Sequence, residues 1–92
     1  MNEKLIERKL RDGVKKLGGL AVKFHAISYT GFPDRIVLMP GGRIWFAEIK
    51  STGKKPTPIQ EVCISQLRSL GFTVFVIDSQ EQLDEFLKLI SK

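Results

Sequence analysis

Pro40-Gly41-Gly42 constrains the folding of this chain more than any other stretch. It separates residues 34–39 from residues 43–50, two runs rich in β-branched and other apolar side chains. A short glycine-containing break between such runs signals a β-hairpin. If the loop is residues 40–42, Met39 pairs with Arg43 and, counting outward, Asp34 falls opposite Glu48. Directly paired side chains on one face lie about 5 Å apart at Cβ. Two carboxylates would then share one small volume. Lys50 follows Glu48 by two residues and projects from the same face. A two-residue Gly-Gly turn would shift the pairing by one and set Asp34 against Ile49 instead; the three-residue loop is the preferred register.

The flanking segments read as three helices and two further strands. Residues 3–17 suit a helix: Asn2 can cap it, Glu3 favours its positive end, and Ile6, Leu10, Val14 and Leu17 mark an apolar stripe. Gly18-Gly19 stops it. Residues 20–28 are expected to form a strand, followed by a turn at Gly31-Phe32-Pro33. After a polar loop from Ser51 to Pro56, Thr57-Pro58-Ile59-Gln60 opens a helix that runs to about Leu70 and ends at Gly71. Thr57 is its N-cap, proline occupies the first turn, and Gln60 completes a capping box. Residues 72–77 read as a buried strand. Ser79 with Gln82 is a second capping box, opening a helix striped by Leu83, Phe86, Leu87 and Ile90. The order is αβββαβα, an α/β fold over a single domain of residues 1–92. A hairpin followed by a helical crossover to another strand implies a mixed β-sheet flanked by helices.

Composition excludes several classes. With 42% hydrophobic and 27% charged residues the chain is globular rather than disordered. No apolar run nears the roughly eighteen residues of a membrane span, and the charged, amphipathic start is unlike a signal peptide. One cysteine, Cys63, precludes an internal disulfide and a cysteine-based zinc site. It lies on a helical stripe and reads as a small core residue. A cytoplasmic location without a membrane partner is expected. Charge is uneven: residues 1–55 carry twelve Lys/Arg against five Asp/Glu, whereas residues 56–92 carry three against five. A basic half around a carboxylate pair suits a polyanionic partner drawn toward a metal.

The chemistry implied is phosphodiester cleavage. Asp34 and Glu48 can hold a hard cation through oxygen ligands. Lys50 would add a fixed positive charge where negative charge develops. Glu7, beside the apolar stripe of the first helix, is a candidate third carboxylate, directly or through a metal-bound water; the alternative is a solvated charge with Arg11 as its i+4 partner. Gln60 can serve the capping box and also bond a water, a phosphate or the lysine. His25, the sole histidine, reads as a half-exposed strand residue rather than a base. Lys4, Arg8, Arg11 and Lys15 form one basic helical stripe suited to tracking a DNA backbone, extended by Lys54 and Lys55; a merely solvated face is the plainer alternative.

Glu7 on an opening helix, Gly31-Phe32-Pro33-Asp34, Glu48-Ile49-Lys50 and Gln60 together resemble the VRR-Nuc (virus-type replication-repair nuclease) family, a branch of the PD-(D/E)xK nucleases. The resemblance runs from about residue 3 to residue 78. It implies a restriction-endonuclease-like core and a Mg²⁺-dependent DNA endonuclease, with Mn²⁺ able to substitute. It implies metal ligation by Asp34, Glu48 and the Ile49 carbonyl, with Lys50, Gln60 and Glu7 completing the catalytic set. The chain looks like a minimal stand-alone phage or bacterial form without an appended domain. Such members are similar to Holliday-junction resolvases in working as homodimers, which points to branched or structured DNA in replication, repair or recombination. Two other readings stand beside it: a non-catalytic nucleic-acid-binding module, and a restriction-type enzyme with sequence specificity.

Overall fold

The computed structural model describes residues 1–92. Helix α1 spans Glu3–Lys16, and the Asn2 side chain caps it by accepting from the Leu5 amide at 2.8 Å. Strands β1 (Leu20–Lys23), β2 (Arg35–Met39) and β3 (Arg43–Ile49) follow, then α2 (Pro58–Ser69), β4 (Val74–Ile77) and α3 (Gln80–Ile90). The sheet order is β1-β2-β3-β4, with β4 parallel to β3 and the other pairs antiparallel. The fold is therefore the expected mixed sheet with three helices.

The hairpin adopts the three-residue loop. Met39 pairs with Arg43 and Arg35 with Ala47, the register that carries Asp34 toward Glu48. Gly41 and Gly42 have φ of 84° and 74°, the left-handed region that favours glycine.

The pleat sorts side chains into two cores. Val37, Met39, Ala47, Ile49 and Ile77 face α1 and α3, meeting Ile6, Leu10, Val14, Leu83, Phe86 and Ile90. Burying a side chain the size of Phe86 contributes roughly 1.5–3 kcal/mol. Trp45 packs at the edge of this core beneath the Arg43 guanidinium, 5.4 Å from the ring centroid. The opposite face carries Phe46 and Val74 against Cys63, Ile64 and Leu67 of α2, with Phe32, Ile36 and Val76 at the margin. Cys63 is 1% exposed, a core thiol as expected. α2 leaves the far part of this face open: Leu20 pairs with Leu38 and Leu38 with Ile44, a cross-strand apolar row that is 63%, 38% and 41% exposed.

Three local expectations are corrected. β1 ends at Lys23 rather than residue 28. The Phe24 amide donates to the Asp34 carbonyl at 2.9 Å, and beyond it the chain leaves the ladder. Phe24 and Tyr29 turn inward to stand edge-on to Phe32, which itself stands edge-on to Phe46. Gly31 (φ 87°) lets this loop press onto α2: a Cβ there would meet Ile59 Cγ2 at 2.6 Å. β4 begins at Val74 rather than residue 72, with Phe72 stacked edge-on to Phe46. At α3, Ser79 accepts from the Gln82 amide, but the Gln82 side chain accepts from Asp78 rather than from the cap residue.

Candidate active site

Asp34 and Glu48 meet where β2 begins and β3 ends. The fully buried Pro33 restricts the backbone entering Asp34. Asp34 Oδ1 accepts from the Ile49 amide at 3.2 Å, which ties the acid across the hairpin to the residue after Glu48. Glu48 is 3% exposed. Its Oε2 receives Lys50 Nζ at 3.3 Å and Gln60 Nε2 at 3.3 Å. Lys50 is placed in turn by its own amide, which donates to the Ile77 carbonyl of β4 at 2.9 Å.

Gln60 does two jobs at once. Its Oε1 accepts from the Thr57 amide at 2.9 Å while Thr57 Oγ1 accepts from the Gln60 amide, so the capping box is complete. The other half of the same amide reaches Glu48 rather than the lysine. The α2 N-terminus, with its partial positive charge, is thereby anchored at the carboxylate pair.

Glu7 has a different partner from either one expected. Its Oε1 lies 2.5 Å from Arg35 Nη2, and Arg11 pairs with its neighbour Asp12 instead. Arg35 is 3% exposed, and its Nη1 donates to the Asp34 carbonyl at 2.9 Å. Arg35 was not singled out in the sequence; the available signal was a charge opening a strand otherwise made of Ile36, Val37, Leu38 and Met39. Glu7 thus connects to the backbone of Asp34 through Arg35, and no third His, Cys, Asp or Glu closes round the acid pair.

His25 lies in the exposed loop after β1 rather than on the strand. Lys4, Arg8, Arg11, Lys15, Lys54 and Lys55 are all exposed. The α1 N-terminus is pinned beside the loop holding Lys54: the Met1 amino group donates to Thr52 Oγ1 at 2.6 Å, and the Thr52 amide to the Met1 carbonyl at 3.0 Å.

The electrostatics fit a cation. Burial raises the pKa of Asp34 above the ordinary carboxylate value, opposed by the Ile49 amide and Arg35. Burial likewise raises Glu48, and the Asp34 charge raises it further against the pull of Lys50. Two acids that are partly or wholly withdrawn from water and repel each other are relieved by a positive ion between them. Both supply hard oxygen donors, the type that Mg²⁺ takes, commonly from one or two carboxylates with waters and phosphates completing its shell. Burial and the Glu48 charge push the Cys63 thiol up, away from nucleophile chemistry. The largest hollow, about 600 Å³ between α1 and α3, includes Asp12 but no carboxylate pair. No helix is long and apolar enough to cross a membrane.

No family model matches the sequence. The chain is 44% identical over 81 residues to "Putative nuclease p44" of Acyrthosiphon pisum secondary endosymbiont phage 1, covering 88% of this chain and 87% of that protein. Its fold is similar to a solved structure described as "VRR_NUC domain", with a TM-score of 0.87, 33% identity and 94% of each chain covered.

Proposed function

This chain belongs to the VRR-Nuc nuclease family, and we propose that it is a divalent-metal-dependent DNA endonuclease acting as a homodimer on branched or structured DNA. The observation that carries the reading is the convergence of Asp34, Glu48, Lys50 and Gln60 at one end of the sheet. A protein that only bound DNA would gain nothing from two acids, one of them buried, facing phosphate.

In this reading Asp34, Glu48 and the Ile49 carbonyl hold Mg²⁺, or Mn²⁺ in its place. The bound cation would neutralise the scissile phosphate and acidify a water. Lys50, which pairs with Glu48 here, would stabilise the negative charge that builds on the phosphate. Gln60 donates to the same Glu48 oxygen that Lys50 contacts and so helps fix that carboxylate. Glu7 acts through Arg35, fixing the backbone at Asp34. Lys4, Arg8, Arg11, Lys15, Lys54 and Lys55 are assigned to the DNA backbone.

The dimer rests on the open sheet face. Leu20, Leu38 and Ile44 form an exposed row beside Val22, also 42% exposed. Contiguous apolar surface of this kind marks an interaction site, and a second copy placed by a twofold axis would cover it with the same row. Val37, Met39 and Trp45 are not available for this role, because α1 and α3 cover that face.

The test is incubation with supercoiled plasmid and synthetic four-way junctions, with and without Mg²⁺ or Mn²⁺. Metal-dependent scission of the junctions supports the full reading. Scission of plasmid alone limits it to a general endonuclease, and no scission of either with any divalent ion overturns it.

A further inference from the structure

A cavity of about 320 Å³ lies against the active site and has no part in the chemistry described so far. The loop between β1 and β2 lines most of it through Phe24, His25, Tyr29 and Phe32, while Asp34 and Gln60 line it on the catalytic side. The space is therefore continuous with the proposed metal site.

The rings in this loop are held firmly but left partly bare. Phe24 and Tyr29 stand edge-on to Phe32 with centroids 5.4 and 5.8 Å away, and Phe32 stands 5.5 Å from Phe46 in the sheet. The Tyr29 hydroxyl donates to Gln66 of α2. Even so, Phe24 is 38% and Tyr29 45% exposed. Aromatic surface fixed in water beside a polar site is a stacking platform that waits for a planar partner. From Phe24 to Pro33 the loop carries no acidic side chain and Lys23 precedes it, so Asp34 is the one acid that lines the cavity. The volume sits near the lower limit of ligand sites, roughly 300 Å³, and is enough for one planar ring system.

We infer that this cavity binds a single unpaired nucleobase, stacked on Tyr29 and Phe24, from the strand whose phosphate lies at Asp34 and Glu48. The inference rests on the nuclease reading for its strand and names the substrate feature that reading lacks: a base out of its stack next to the cut. Enzymes that act on nucleotides displaced from the helix select sites where unstacking is cheapest, such as mismatches and discontinuities. His25 lines the cavity with a polar ring, and the aromatic rings accept any base because each has a π-face.

The experiment uses the whole chain in EDTA, so that DNA stays intact, with splayed duplexes carrying 2-aminopurine at each unpaired position in turn. Wild-type protein should quench the fluorescence at one position beside the fork. Tyr29→Ala should lose that quenching and weaken fork binding roughly 5- to 150-fold, the fold-change that corresponds to one stacked base. Binding to fully paired duplex should stay within about twofold. Tyr29→Phe, which keeps the ring and drops the bond to Gln66, should behave as wild type. Absence of quenching at every position with wild-type protein overturns the inference without recourse to any variant. Equal weakening on fork and duplex, or equal loss in Tyr29→Phe and Tyr29→Ala, also overturns it. Quenching without cleavage on any DNA in Mg²⁺ or Mn²⁺ would overturn the nuclease reading and leave the base site standing. Cleavage without quenching would do the reverse.

Discussion

Glu7→Gln separates two roles that look alike in an activity assay. Glu7 either touches the reacting centre or acts only through Arg35. The Arg35 side chain is 4% exposed and its partner 34% exposed. Removing one member of a fully buried pair costs about 3–5 kcal/mol. Here water can follow into the gap on the Glu7 side, and the new amide oxygen still accepts from the guanidinium, so the cost drops to about 2 kcal/mol. For a domain of this size that lowers Tm by about 8–16 °C. Cleavage should fall about ten- to hundredfold, because Arg35 then holds the Asp34 carbonyl less firmly and small misplacements of a ligand are costly. The deciding measurement is a double-mutant cycle with Arg35→Met, which removes the buried charge that Glu7 serves. If Glu7 acts through Arg35, adding Glu7→Gln to Arg35→Met should change neither Tm nor cleavage rate appreciably. If Glu7→Gln lowers the cleavage rate as much in the Arg35→Met background as in wild type, Glu7 meets the metal or its water directly and the assignment to Arg35 is refuted.

Asp34→Asn and Glu48→Gln should each abolish cleavage while leaving fold and DNA binding intact. Both acids are raised in the folded protein, so without metal the wild type is most stable when they are protonated and loses stability as pH rises from their ordinary values of 3.8 and 4.5. Melting in EDTA from pH 4 to 8 should show a shallower decline in either variant, and added Mg²⁺ should raise the Tm of wild type alone. Lys50→Ala should lower the single-turnover rate far more than DNA affinity; weakened binding with the rate preserved would make Lys50 a plain phosphate contact. Neutralising Lys4, Arg8, Arg11 and Lys15 should flatten the salt dependence of binding by nearly one unit of log–log slope per lost phosphate contact; an unchanged slope returns them to a solvated face. Leu38→Glu, placed in the middle of the exposed apolar row, should convert a dimer to the 10.4 kDa monomer in light scattering; a wild-type mass already at that value would remove the dimer.

What the sequence determined on its own was local. The break at Pro40-Gly41-Gly42 set a register that brought Asp34 toward Glu48, because loop length and the period of two leave few pairings open. Thr57 and Gln60 announced the start of α2 because a capping box involves only residues three apart. Apolar stripes located α1 and α3 for the same reason. The failures lay where distant residues outbid near ones. The stretch from Phe24 to Ser28 continues a strand pattern, yet the rings of Phe24, Tyr29 and Phe32 gain more by clustering over Phe46 than by extending the ladder. Glu7 has an i+4 partner available in Arg11, yet takes Arg35, a residue 28 positions away whose buried charge is costly to leave without a counter-ion. The sequence also left open which face each helix covers. Only the packed structure placed α1 and α3 on one side and α2 on the other, and that choice left the row from Leu20 to Ile44 bare and set an aromatic cavity beside the acids. Such features depend on free energy gained across the sheet after the elements have formed, and no spacing along the chain encodes them.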